Sequence, residues 1–183
     1  MAIIDRLCAS RALKKRIAEH RGRLYRIACA WCSDVHLADD LVQETIARAM
    51  EKCHDVRDPS RLDSWLYTIL NNCWREHLRR RRPEEEVNDQ GLACTRCPER
   101  VTVSSDLAEK TLRLMERLSS GQRQVLTLVA LEELSYREVA DILDIPVGTV
   151  MSRLSRARQF LANGLDAAQS SRPLPRPILR RVK

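Results

Sequence analysis

The chain has 183 residues, enough for one large domain or two small ones, and a formal net charge of +7, which favours a polyanionic partner. Only 5 Gly and one Phe among many Leu, Ala, Arg and Glu point to an all-α chain. No apolar run approaches the roughly 18–20 residues that span a bilayer, and the opening MAIIDRLCASRALKKR lacks the apolar core of a secretory signal, so a cytoplasmic chain with reduced thiols is expected.

Residues 3–32 read as helix, with Leu13, Ile17, Leu24, Ala28 and Trp31 on one stripe and Lys14, Lys15, Arg16, Arg21, Arg23 and Arg26 around it. Gly22 is a candidate break into two helices. His20, near the stripe, reads as a packing residue rather than a ligand. Ser33-Asp34 forms a turn, and the next helix starts near His36. Its apolar stripe is Val42, Ile46, Ala49 and Cys53; Asp40, Gln43, Glu44, Ala47 and Glu51 lie opposite. An acidic patch on a basic chain cannot be meant for phosphate and suits a basic protein surface. The same pattern also fits a solvated face, with Asp39 and Asp40 favouring the positive helix N-terminus.

Residues 54–60 form a loop, and a third helix is expected from about Leu62 to Arg82, with Leu62, Leu66, Ile69 and Cys73 buried. Trp65, Tyr67 and Trp74 interleave there with Asn71, Asn72, Arg75 and the run Arg79, Arg80, Arg81, Arg82. Rings stack on bases, amides read base edges and arginines hold phosphates, so this mixture suits single-stranded nucleic acid. It also fits core tryptophans and an arginine run set against the negative C-terminus of the helix. Pro83 ends the helix, and residues 83–105 lack periodicity and read as a flexible linker between domains. Helix resumes at about Asp106 with Leu107, Thr111, Leu114, Met115 and Leu118 inward. Ser119-Ser120-Gly121 breaks it, and Gln122 to Leu131 is a short apolar helix.

The stretch from Leu134 to Leu161 reads as two helices joined by a tight turn. Ser135 and Glu138 make a capping box that starts a helix at Tyr136, with Val139, Ile142 and Leu143 on its apolar face. Asp144-Ile145-Pro146 stops it, and Gly148 and Thr149 can open the next helix. There Val150, Leu154, Ala157 and Leu161 form the inner stripe. Ser152, Ser155, Arg156 and Gln159 lie opposite, with Met151, Arg153 and Arg158 on the flanks. A helix packed on one side and bearing Ser, Arg and Gln on the other suits a major groove; a two-helix corner with a solvated face gives the same spacing. The final residues 167–183, with three prolines and five basic residues, are expected to be extended or disordered.

Two of the cysteine pairs among the 7 Cys have C-x-x-C spacing. Four thiolates could hold zinc, or one pair could be a redox switch. Cys29 and Cys32 fall inside a helical pattern, where cysteine acts as a small hydrophobe. Cys94 and Cys97, in the polar linker, are the better candidates for reactive or metal-binding thiols. Cys8, Cys53 and Cys73 read as packing residues. The chain shows no triad, no P-loop and no catalytic metal spacing, so no catalytic residue, cofactor or small-molecule substrate is expected.

DDLVQETIARA, DSWLYTILNNCWREHLRRRR and LEELSYREVADILDIPVGTVMSRLSRAR, in this order, resemble a bacterial extracytoplasmic-function (ECF) RNA polymerase sigma factor. The resemblance implies an all-α fold of two small helical domains. Region 2 would cover 1–82, a linker 83–105 and region 4, the helix–turn–helix, 106–166. It implies docking on core RNA polymerase through Asp39, Asp40, Gln43 and Glu44. It assigns the −10 promoter element to region 2, with a flipped base held near Val56 and Asn72 and with Trp65, Asn71, Arg75, Arg79 and Arg80 beside it. It assigns the −35 element to Thr149, Met151, Ser152, Arg153, Ser155 and Arg156. Met151 departs from the family, in which many relatives carry a basic residue there. An anti-sigma partner is also implied. The rival reading is a stand-alone helix–turn–helix regulator, with or without cysteine-based metal or redox sensing.

Overall fold

The computed structural model describes the backbone of residues 2–56, 58–81 and 106–170, and side chains within 11–81 and 109–166. The expected linker with Cys94 and Cys97, Arg82 and the tail beyond Ser170 lie outside the described residues. Among those described, all regular structure is helical.

The first unit holds α1 (Ala2–Glu19), α2 (Arg21–Cys32), α3 (Val35–Glu51) and α4 (Leu62–Arg81). The break between α1 and α2 falls at His20, two residues before Gly22, the position expected from sequence. Asp34 caps α3 by accepting from the His36 and Leu37 amides, which satisfies two of the four donors a helix start leaves open. Ser33 takes the left-handed conformation (φ 57°) that closes α2. Ile17, Leu24, Ala28 and Trp31 pack inward as the periodicity predicts, together with Ile27. They meet Val42 and Ala49 of α3 and Leu62, Leu66 and Cys73 of α4 in one core.

The second unit holds α5 (Asp106–Glu116), α6 (Ser120–Ala130), α7 (Tyr136–Leu143) and α8 (Val147–Ser170). Ser119 caps α6 through a box with Gln122, so this helix starts two residues before the position expected from sequence. The Ser135 and Glu138 box starts α7 at Tyr136 as predicted: the Ser135 amide donates to Glu138 at 2.9 Å. Asp144, in the left-handed conformation at φ 54°, ends α7, and its amide returns to the Ala140 carbonyl. α8 continues to Ser170, so residues 167–170 are helical rather than extended. The helix did not stop at Asp166 because Ala167, Ala168 and Gln169 are good helix formers and the first proline comes only at Pro173.

The two units pack directly on one another, α2 against α6 and α4 against α7. The periodicity of α4 accounts for this. Besides the stripe that faces α3, its residues Tyr67, Asn71 and Trp74, at spacings of four and three, form a second buried stripe. All three are turned to the second unit.

Candidate functional site

Three exposed surfaces and one buried contact carry the chemistry. The first surface is the outer face of α3. Asp40, Gln43, Glu44, Ala47 and Glu51 are all exposed there. Asp39 is more tied down: it accepts from Gln43 Nε2 at 2.7 Å and from Arg21 at 2.8 Å. Those bonds, Gln43 first and Arg21 second, hold its carboxyl below the ordinary range. Glu44 accepts from Arg48 at 2.6 Å, and Arg48 reaches on to Glu76 of α4 at 2.8 Å. The acidic face is thus braced by side chains that fix its shape while Asp40 stands clear.

The second surface is α4 with the loop that leads to it. Val56 is half-buried in that loop, between two short 3-10 turns. Trp65, Asn72 and Arg79 are seven residues apart and share one face of the helix, Trp65 half-buried and the other two exposed. Arg75 is exposed and reaches Asp144 of the second unit at 3.4 Å. Arg80 is exposed and donates to Glu76 at 2.5 Å.

Asn71 does not join that exposed face. It is 2% exposed, donates to the Ile142 carbonyl at 3.2 Å and accepts from Gln124 at 3.1 Å. Trp74 behaves alike: it is buried, donates to Ser120 Oγ at 3.2 Å and stacks on His77 with 5.9 Å between ring centres. Both amides looked equal in the sequence. Only the packing of the second unit separates them.

The third surface is the outer face of α8. Met151, Ser152, Ser155 and Arg156 are exposed, and Met151 is the most exposed large apolar side chain among the described residues of that helix, at 54%. Thr149 is half-buried. Arg153 folds back rather than outward: a Cβ placed on Gly121 would lie 2.8 Å from its Cζ, so the guanidinium rests on the backbone at the start of α6. The amides that open α8 are turned toward Pro146, whose carbonyl accepts from Thr149 at 2.8 Å and from Val150 at 3.2 Å.

The buried contact centres on Glu132, which sequence reasoning missed. It lies in the short loop between α6 and α7, 8% exposed, and accepts from both Arg23 Nε of α2 and the Tyr67 hydroxyl of α4. Burial first, then the bond to Glu132, pushes the Tyr67 phenol far above its ordinary range. Arg23 also donates to Asp63 at 2.6 Å, and Asp63 faces His20 Nε2 at 2.8 Å. The neighbouring Glu133 is exposed, so nothing in the stretch LEELS marks which glutamate is buried.

Of the cysteines, Cys53 and Cys73 are buried, and Cys32 is half-buried with its thiol donating to the Ala28 carbonyl at 3.0 Å and the Asp34 carbonyl at 3.2 Å. Burial pushes the Cys32 thiol up to about 11. Among the described residues, no His, Cys, Asp and Glu side chains cluster as a metal site would need, and no helix is long and apolar enough to cross a membrane.

Comparison with known proteins decides the family. Residues 16–84 match the model for Sigma-70 region 2, and residues 108–161 match that for Sigma-70 region 4. The ECF RNA polymerase sigma factor EcfG of Rhodopseudomonas palustris (strain TIE-1) is 38% identical over 125 residues, covering 68% of this chain and 69% of that protein. The chain belongs to the ECF RNA polymerase sigma factors. Two solved structures are similar to this sigma factor over most of its length. The sigma factor RpoE in complex with the anti-sigma factor NepR from Bartonella quintana superposes with a TM-score of 0.66 at 28% identity, over 84% of this chain and 96% of that one. CnrH in complex with the cytosolic domain of CnrY gives 0.58 at 28% identity, over 86% and 89%. At that coverage each overlay includes residues of both units. The sigma factor works on core RNA polymerase and promoter DNA, with region 2 at the −10 element and region 4 at the −35 element.

Proposed function

We propose that the acidic face of α3 is the surface this sigma factor docks on core RNA polymerase, with Asp40, Gln43 and Glu44 as the contact and Asp39 as their brace. The observation that carries this reading is the exposure of those three side chains together on a chain of net charge +7. The partner they fit is a basic protein surface, since phosphate would be repelled.

The −10 element falls to the exposed side of α4. Asn72 and Arg79 lie in line with Trp65, and the loop at Val56 adjoins the helix start. A base unstacked from the duplex costs a few kcal/mol, which stacking on the indole and a bidentate bond from the Asn72 amide offset. On α8, Arg156 is the exposed cation suited to guanine, Ser152 and Ser155 can reach phosphate or base, and Met151 offers its thioether to a thymine methyl. Neither surface needs to bind tightly alone. With both on one polymerase-bound chain, the second contact forms at high effective concentration, so two weak readings combine into one selective reading. The chain acts by binding and catalyses no reaction of its own. Since both solved relatives are complexes with anti-sigma partners, we assign this chain the same mode of control.

The test is reconstitution of the purified chain with sigma-free core polymerase on genomic fragments. Promoter-specific run-off transcripts are expected. Asp40→Arg should reduce them by at least tenfold and weaken core binding. Asn72→Ala should leave core binding intact and impair opening of the −10 region. Tight DNA binding by the chain alone, with no stimulation of core, would instead establish a stand-alone regulator.

A further inference from the structure

Region 4 sits on a face of region 2 that is equipped to hold an anion. Arg23 supplies a guanidinium whose Nη1 is held by Asp63 of the same unit at 2.6 Å, leaving Nε directed at the second unit; Tyr67 adds a hydroxyl, and Asn71 and Trp74 extend the same face along α4. All four donate to groups of the second unit, and at their centre the acceptor is a carboxylate, Glu132. The adjacent Glu133 points to solvent, so burial of acid here is selective rather than general to the loop. The apolar cores of the two units are continuous across the contact, and polar bonds also cross it. Tyr67, Asn71, Trp74 and Arg123 each span it with a hydrogen bond, the last from its Nη1 to Ser33 Oγ at 2.5 Å. When such a contact between domains opens, water can replace each of these bonds. The acidic face of α3 and the outer face of α8 stay exposed while the contact is closed.

We propose that Arg23 and Tyr67 form a phosphate-binding site for the promoter strand, and that Glu132 occupies it as a built-in competitor that latches region 4 over region 2. The inference rests on the sigma-factor reading of α4 for the identity of the polyanion; the latch itself does not. In the closed chain the polymerase-docking face is available and this phosphate site is not. Docking therefore comes first. Separation of the two regions on the polymerase withdraws Glu132 and delivers Arg23 and Tyr67 to the DNA backbone, beside the exposed stripe of Trp65 and Asn72.

The experiment compares Glu132→Ala with Glu133→Ala, which removes the same charge from an exposed position. Small-angle scattering on the full chain should show Glu132→Ala expanding by about 4 Å or more in radius of gyration, from one compact body toward two. Glu133→Ala should match the wild type. With a fluorescein-labelled mixed-sequence single strand of fifteen nucleotides, Glu132→Ala should bind at least fivefold more tightly than Glu133→Ala. Adding Arg23→Gln to Glu132→Ala should remove that gain while the chain stays expanded. Glu132→Gln, which keeps the side-chain shape, serves the same comparison should Glu132→Ala lose helicity. No expansion, or equal effects at both glutamates, overturns the latch. Expansion without a gain dependent on Arg23 overturns the phosphate site. Neither arm contains polymerase, so a chain that passes both but fails to stimulate core would keep the latch and lose the promoter strand as its ligand.

Discussion

Single side chains set the limits within which this chain works, and two of them respond to pH. His77 stacks on Trp74, and burial, with Arg81 and Arg80 nearby, lowers its pKa from the usual 6.5. The unfolded chain then binds a proton that the folded chain refuses, so stability is retained above about pH 6.5 and falls as the pH drops below it. His77→Gln should flatten that acid limb in urea unfolding measured between pH 7 and pH 5. Cys32 behaves in the opposite sense. Its thiol ionises near 11 when folded and near 9 when unfolded, so stability is complete below pH 9 and declines as the pH climbs toward 11. The same burial protects the thiol. Iodoacetamide at pH 8 should modify Cys32 at least tenfold more slowly in the native chain than in urea, as read by peptide mass spectrometry.

At the scale of the helix, most of the fold was legible. Stripes at helical spacing placed Ile17, Leu24, Val42, Leu66, Val150 and Leu154 inward, and all six are buried. Both capping glutamate and serine of α7 were readable because the box needs only adjacent residues. Ser135→Ala removes the acceptor for the Glu138 amide and should lower stability by about 1 kcal/mol in chemical unfolding. The turn that precedes it carries a cost of a different kind. Glu133 holds φ 53°, where a Cβ is crowded, so Glu133→Gly should raise stability by about 1 kcal/mol in the same assay. What periodicity could not supply was the second buried stripe of α4. Tyr67, Asn71 and Trp74 fit a nucleic-acid face as well as a core, because nothing local says that elements of the second unit will cover them. Glu132 escaped notice for the same reason, since its burial depends on partners in α2 and α4.

The molecule as a whole is one body in this structure, although the sequence divides cleanly into two family regions. That affects how it should unfold. Region 4 buries Asn71 and Trp74 of region 2, so loss of region 4 trades their bonds for water and strips apolar cover from α4. Asn71→Ala should therefore lower the stability of both regions together, by about 1–3 kcal/mol, since Gln124 and the Ile142 carbonyl lose their partner at once. A tryptophan fluorescence transition coincident with the far-ultraviolet circular dichroism transition would express that coupling; two separated transitions would show the regions to be independent. The fold-level division was legible from composition and order. The mutual packing was not, because it depends on complementarity between two surfaces far apart in the sequence.

Helix α4 has no idle side. One stripe builds the core of region 2, a second holds region 4, and the remainder is the exposed surface that we assign to DNA. A change at any position along it is felt by at least one of these. A change at Asn71 or Arg75 is therefore matched only by a compensating change at its side-chain partner, Gln124 or Asp144. Pairs of this kind are where a lineage of such factors would record its history, and where transplanting one region into another member would most readily fail.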